Sequence, residues 1–140
     1  MTPGTLLFDP NFRFHDGDTG KKILICLGTS QGITLVIKTT SQGRRYRNDW
    51  GCQNNHIYPC FHLTQGSCCL HKPTWACLDE YYEFRDSVLL QRHFSNEIHR
   101  FGTLPDAITE ELMRCALESD DINPRQMRIV ERALDGFLAG

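Results

Sequence analysis

Two short apolar runs dominate the pattern of this chain. Gly20-Lys21-Lys22-Ile23-Leu24-Ile25-Cys26-Leu27 is answered by Ile33-Thr34-Leu35-Val36-Ile37-Lys38-Thr39-Thr40-Ser41, with Gly28-Thr29-Ser30-Gln31-Gly32 between them. β-Branched residues suit a pleated surface, and Gly and Ser supply turn conformations, so the pattern predicts a β-hairpin. The first run is apolar from Ile23 to Leu27 without interruption, as in a strand covered on both faces. Polar groups collect at one end of each run: Lys21 and Lys22 before the first, Lys38 to Ser41 closing the second. Antiparallel pairing lays the start of one strand beside the end of the other. Cations and hydroxyls are thereby expected at one edge of the sheet, the equipment of a phosphate-binding site.

Other strands are expected around the hairpin. Thr5-Leu6-Leu7-Phe8 forms a first strand whose regular pairing ends at Pro10, and Asn11 to Phe14 continues it beyond a bulge. His15-Asp16-Gly17-Asp18-Thr19-Gly20 is a polar loop that offers a histidine able to titrate near neutral pH. Phe61-His62-Leu63, Cys68-Cys69-Leu70 and Thr74 to Leu78 are further strand segments, and Gly66 and Pro73 punctuate the turns. Asp86 is an N-cap candidate for a short helix carrying Val88, Leu89 and Leu90, and Ile98 to Phe101 forms a last strand. In the final third, Thr103 and Asp106 resemble a capping arrangement with Pro105 in the first turn. Leu104, Ile108, Leu112 and Cys115 fall on one helical face. Asn123-Pro124 opens another helix, with Met127, Val130 and Leu134 inward and Gly136 as its stop. That face packs either on the sheet or on a second subunit.

Composition narrows the class. At 140 residues the chain suits one domain with a real core. No apolar run reaches the length of a membrane span, and no basic-then-apolar leader opens the chain, which points to the cytosol. Seven cysteines without a secretion signal read as reduced, mostly buried thiols. The net charge of −2 argues against nucleic-acid binding through bulk charge, so any such site must be a local patch.

The most basic segment is Gly43-Arg44-Arg45-Tyr46-Arg47, followed by Asn48-Asp49-Trp50. Guanidinium forks match phosphates, and the rings of Tyr46 and Trp50 offer stacking surfaces for bases. Asp79, Glu80 and Glu83 suit pairing with that basic loop better than acid–base chemistry. Cys52, His56, Cys60 and His62 do not fall into the tight ligand knuckles of structural zinc, so no metal site is assigned.

The order of elements resembles the MazF/PemK (Kid/CcdB-like) toxin superfamily. Pro3-Gly4-Thr5-Leu6-Leu7 is similar to the family's opening strand, Gly20 to Leu27 to its Gly-x-Arg-Pro-x-Val-Val-Leu strand, and Thr39-Thr40-Ser41-Gln42 to the Thr-Thr or Thr-Ser that closes its next long strand. Cys77-Leu78-Asp79, then Phe101-Gly102-Thr103-Leu104 and a capped helix, resembles its C-terminal order. The likeness covers about residues 1–118, with residues 119–140 an additional helix and tail of the same domain.

The resemblance implies a mainly β fold with C-terminal helices (α+β), a small SH3-like, strongly bent antiparallel β-barrel, usually homodimeric. It further implies a ribosome-independent endoribonuclease that needs no metal or other cofactor, cuts single-stranded mRNA and is held by a cognate antitoxin protein. The family's catalytic Thr falls on Thr39, and its Arg on Lys22, where lysine keeps the charge but loses the bidentate fork. The chemistry so implied is attack of a 2′-OH on the adjacent phosphate, leaving a 2′,3′-cyclic phosphate. Lys22 would stabilise charge on the phosphoryl oxygens, Thr39 or Thr40 would hold the phosphate, and His15 would serve as acid or base. Strand alternation puts Thr40, not Thr39, on the face of Lys38. Lys21, Ser41, Arg44, Arg45, Tyr46, Arg47 and Trp50 would contact the RNA strand. The alternative is a non-enzymatic barrel that binds RNA or a protein partner, for example a gyrase poison acting through its C-terminal helix.

Overall fold

A computed structural model describes all residues, 1–140. The uninterrupted apolar run does form the centre of a sheet. Strand β2 (Thr19–Ser30) pairs antiparallel with β3 (Ile33–Thr40) on one side and with β1 (Thr5–Arg13) on the other. Leu24, Ile25, Cys26 and Leu27 are fully buried, as coverage on both faces requires. The strands run further than the expected five-residue turn allows, and only Gln31 and Gly32 reverse the chain. Both have positive φ (52° and 79°), the conformation that a two-residue hairpin turn matched to strand twist demands. Alternation puts Ile25 and Leu27 together in the larger core, and a bulge between Cys26 and Gly28 then shifts the register with β3 by one residue. Strand β1 keeps its pairing past Pro10 through an irregularity between Asp9 and Phe12, as the sequence predicts.

The remaining strands are β4 (Gly51–Cys52), β5 (Cys60–Leu63), β6 (Thr74–Cys77), β7 (Tyr82–Arg85) and β8 (His99–Thr103). The sheet order is β4-β5-β6-β3-β2-β1-β8, with every pair antiparallel. β3 divides its second edge: Ile33 to Val36 pair with β7, and Thr39 and Thr40 pair with β6. The fold is thus mainly antiparallel β with three helices, an α+β arrangement. Its strand path is open, with β4 and β8 at the two ends, so the sheet is not closed into the expected barrel.

Helices α1 (Asp86–Phe94), α2 (Asp106–Leu117) and α3 (Pro124–Ala139) complete the chain. Asn123 caps α3 by accepting from the Gln126 backbone while the Gln126 side chain accepts from the Asn123 backbone, and Pro124 fills the first turn. The helix runs through Gly136 rather than stopping there. Its Ile129, Val130 and Leu134 join the main core with α2's Leu112, Met113 and Ala116, so the inward face is covered by this chain itself. Gly28 permits the approach, since a Cβ there would sit 2.5 Å from that of Ala133. Neither expected N-cap at the other helices is found. Asp86 is the first residue of α1 and its carboxylate accepts from Thr34 Oγ1, while Pro105 occupies the cap of α2 without a side-chain bond.

A smaller core of Leu7, Phe12, Leu24, Val36, Tyr82, Leu89 and Ile98 lies on the other face of the hairpin. At its margin the fully buried Asp9 carboxylate receives both terminal nitrogens of Arg92, at 3.0 and 3.1 Å. A charge so placed is tolerable only because it is paired and also accepts from the Asn11 amide at 3.0 Å.

The cysteines depart from expectation. Cys52 and Cys115 form a disulfide with a Cα separation of 5.7 Å, tying the short β4 to α2. The expectation that all seven are reduced fails because folding brings together two thiols 63 residues apart. Cys26, Cys60 and Cys77 are free and buried, but Cys68 and Cys69 are not strand residues: they lie on a turn, where Cys68 has φ 55°. No helix is long and apolar enough to cross a membrane.

Candidate phosphate-binding cleft

The antiparallel register delivers the polar ends of β2 and β3 to one place. Lys22, Lys38, Thr40, Gln42, Arg44, Arg45, Tyr46 and Cys77 line a cleft of about 360 Å³. A second recess of about 280 Å³ shares Lys22, Thr40 and Gln42 and adds Lys21, Thr39, Ser41 and Thr74, with Phe8 and Ile23 as its apolar wall. The two are lobes of one groove. Five cations border it, and no carboxylate or imidazole is among the lining residues.

Alternation fixes which hydroxyl faces the groove. Lys38 and Thr40 point the same way along β3, whereas Thr39 is buried and its Oγ1 donates to the Ile23 carbonyl at 2.8 Å. Thr40 Oγ1 accepts from the Gln42 amide at 3.1 Å, which leaves its proton free for a ligand. The hydroxyl of Thr39, the family-derived position, is thus spent on a cross-strand tie, whereas Thr40 lines both lobes of the groove.

The two lysines are held differently. Lys38 is bound to Glu80 at 3.0 Å, and the Tyr82 hydroxyl donates to the same carboxylate oxygen at 2.6 Å. The Tyr82 hydrogen bond, with Lys38 beside it, holds the Glu80 carboxyl below its ordinary range. Lys22 has no acidic partner among the ion pairs. Burial pushes its pKa down, the neighbouring Cys77 opposes that, and Lys38 adds to it. Both ammonium groups lie over the Phe14 ring, at 6.0 Å from its centroid for Lys22 and 5.4 Å for Lys38.

The basic loop is divided. Arg44 and Arg45 reach the cleft, and Arg45 also lies 5.3 Å over the Tyr58 ring. Arg47 turns to Asp49 at 3.0 Å and gives its carbonyl to Trp75 Nε1. Tyr46 lies nearly parallel to Trp75 with its hydroxyl 3.7 Å from Cys77 Sγ. Burial first, and the neighbouring thiol second, push the Tyr46 phenol upward, so it is neutral at ordinary pH. Burial also raises the Cys77 thiol. Trp50 packs edge-on against Phe61 and does not line the cleft. Two of the three carboxylates expected to face this loop go elsewhere, Glu80 to Lys38, and Glu83 to Arg125 and Gln126 of α3, while the third, Asp79, lies close enough for its charge to act on Tyr46.

His15 is also outside. Its Nε2 lies 3.0 Å from the Tyr81 carbonyl and its ring stacks on Tyr82 at 4.0 Å, and it lines neither lobe. The histidines near the cysteines are occupied as well. His62 Nδ1 meets the Thr74 carbonyl at 3.1 Å, and His56 Nδ1 accepts from the Tyr58 amide. No three His, Cys, Asp or Glu residues gather where they could hold a metal.

Lys38 was expected at this edge of the sheet without a role, and Gln42, Cys77 and Phe14 were not assigned to the site. Alternation from Thr40 signals Lys38. Nothing local signals Phe14, which arrives from the far end of β1 and the loop that follows it. Comparison of the chain with protein-family models, with curated proteins and with solved structures finds no match.

Proposed function

We propose that this protein binds single-stranded RNA along the groove between the ends of β2 and β3 and cleaves it, in the manner of the MazF/PemK-like endoribonuclease toxins. One observation carries the reading: Lys22, Lys38, Arg44, Arg45 and the Thr40 hydroxyl converge on a groove whose lining holds no acidic group. Such a lining suits a polyanion and supplies donors for the oxygens of a phosphate in displacement.

On this reading the 2′-oxygen attacks the adjacent phosphorus and its proton passes to water. The bond to the 5′-oxygen breaks, and that oxygen takes up a proton to leave a 2′,3′-cyclic phosphate and a 5′-hydroxyl. Lys22 stabilises the developing charge. Its ammonium, made more acidic by burial, is the proton source for the leaving oxygen. Thr40 donates to a non-bridging oxygen and holds the phosphate in line. Arg44 and Arg45 engage flanking phosphates, and Tyr46 presents the edge of a stacking surface. The chain then works as a homodimer, restrained by an antitoxin protein, on cytoplasmic mRNA. Its sheet corresponds to a strongly bent, SH3-like barrel that is opened between β4 and β8.

A second reading has its own support. Neither a carboxylate nor an imidazole lines the groove, so a binding module that holds RNA without cutting it accounts for the same lining. Incubating the protein with a long single-stranded RNA in EDTA, and mapping the ends, decides between the two. Discrete cuts ending in cyclic phosphate, lost in Lys22→Ala and Thr40→Val but kept in Thr39→Val, support the enzyme. Intact RNA that is nevertheless bound, with affinity falling steeply in salt, supports the binding module.

A further inference from the structure

Outside the groove, the turn before β6 brings two thiols together. Cys68 Sγ and Cys69 Sγ lie 3.1 Å apart, with Cys68 exposed and Cys69 half-buried. The left-handed φ of 55° at Cys68 is a conformation that a side-chain-bearing residue rarely adopts, and here it turns adjacent side chains to one side. The strand at the end of the sheet completes the setting. Cys68 Sγ donates to the Thr103 carbonyl at 3.1 Å, and the missing side chain of Gly102 leaves the space that Cys69 Sγ occupies. The other free thiols, Cys26, Cys60 and Cys77, are buried, so this is the accessible pair.

We infer that Cys68 and Cys69 form a bidentate site for a soft trivalent metalloid, of which an organoarsenical is the representative ligand. The spacing selects the class. With bonds of about 2.3 Å, as in a zinc thiolate, sulfurs 3.1 Å apart subtend roughly 85° at the bound atom. Tetrahedral zinc asks for a wider angle of about 109° and for two further ligands, and no other His, Cys, Asp or Glu joins the pair. A trivalent centre that bonds through nearly perpendicular p orbitals takes the narrow angle, and two thiols satisfy it when its third position carries carbon.

The reaction is a condensation without redox change. Hydrated phenylarsine oxide bears two As–OH groups; two S–H and two As–OH bonds break, two As–S bonds form, two waters leave, and arsenic stays trivalent. Burial and the adjacent Cys68 push the Cys69 thiol up to about 11, so it reaches this reaction as the protonated thiol that the condensation consumes. Ligation also withdraws Cys68 from the Thr103 carbonyl and thereby loosens the turn from β8.

The test uses the full chain and phenylarsine oxide, read by intact mass and by titration. One adduct per chain is expected, resistant to excess monothiol and released by 2,3-dimercaptopropanol. Cys68→Ser and Cys69→Ser each replace a chelate with a single bond and are expected to weaken binding about 100-fold or more, with unchanged melting temperatures. Cys77→Ser, which removes a buried free thiol, and Cys52→Ser, which opens the disulfide to Cys115, are expected to retain it. Absence of an adduct on the wild-type chain, its persistence in Cys68→Ser or Cys69→Ser, or its loss in Cys77→Ser or Cys52→Ser overturns the inference.

Discussion

The two ends of the β2–β3 hairpin are built to opposite specifications. At the turn end, Gly28 admits α3 so closely that Ala133 nearly meets the strand backbone, and Leu27 and Leu35 are fully enclosed. Six residues back along β2, roughly 20 Å from Gly28, the other end keeps Lys22 half-buried beside Lys38. There burial disfavours the Lys22 charge and Lys38 repels it. The first end contributes to stability, and the second spends some of it. Lys38 already has the Glu80 carboxylate, but Lys22 has no such partner, so keeping its charge half-buried beside Lys38 costs free energy until an anion arrives, which is the mark of a prepared binding site.

Substitutions at the two ends separate these roles. The largest effect belongs to the packed end. Leu27→Ala removes a fully buried side chain from the main core and is expected to cost about 2–5 kcal/mol in urea unfolding, with RNA affinity of the folded protein unchanged. Next comes the pair of adjacent threonines. Thr39→Val forfeits the bond to the Ile23 carbonyl and is expected to cost about 1–3 kcal/mol without changing RNA cleavage. Thr40→Val is expected to stay within about 0.5 kcal/mol of the parent and to lose the cleft's hydroxyl chemistry. A reversal of the two would return Thr39 to the role that the family resemblance gives it.

The smallest effect is electrostatic. Glu80 has a folded pKa below its ordinary 4.5, owing first to the Tyr82 hydrogen bond and then to Lys38. A depressed carboxyl contributes stability above its unfolded value, and that contribution is lost as pH falls through the lower folded value. Glu80→Gln is accordingly expected to flatten the acid limb of thermal stability below about pH 4.5, while leaving the slope near neutrality unchanged. Melting curves from pH 2 to 7 check this.

What could be read from the chain follows the reach of the forces involved. The hairpin was legible because an uninterrupted apolar run, a turn and polar ends are local signals, and the gathering of Lys22 beside Thr40 follows from antiparallel geometry. The cap at Asn123 was legible for the same reason. Partnerships set by tertiary approach were not. Cys52 finds Cys115, Asp86 finds Thr34, and Glu80 finds Lys38 rather than the arginines, because packing decides which groups meet. His15 was a plausible acid or base by residue type alone, yet its ring is committed to Tyr81 and Tyr82. The bulge that continues β1 was visible at Pro10, whereas the Arg92 fork on buried Asp9 was not.

Lys22→Met tests the division between the two ends most directly, with thermal melting and RNA binding and cleavage measured on the same preparation. The account predicts a melting temperature equal to or above the parent's, since a desolvated and repelled charge is removed, together with loss of cleavage and a reduced salt dependence of RNA binding. A lowered melting temperature with RNA binding and cleavage intact would make Lys22 a structural lysine and contradict the assignment of the groove.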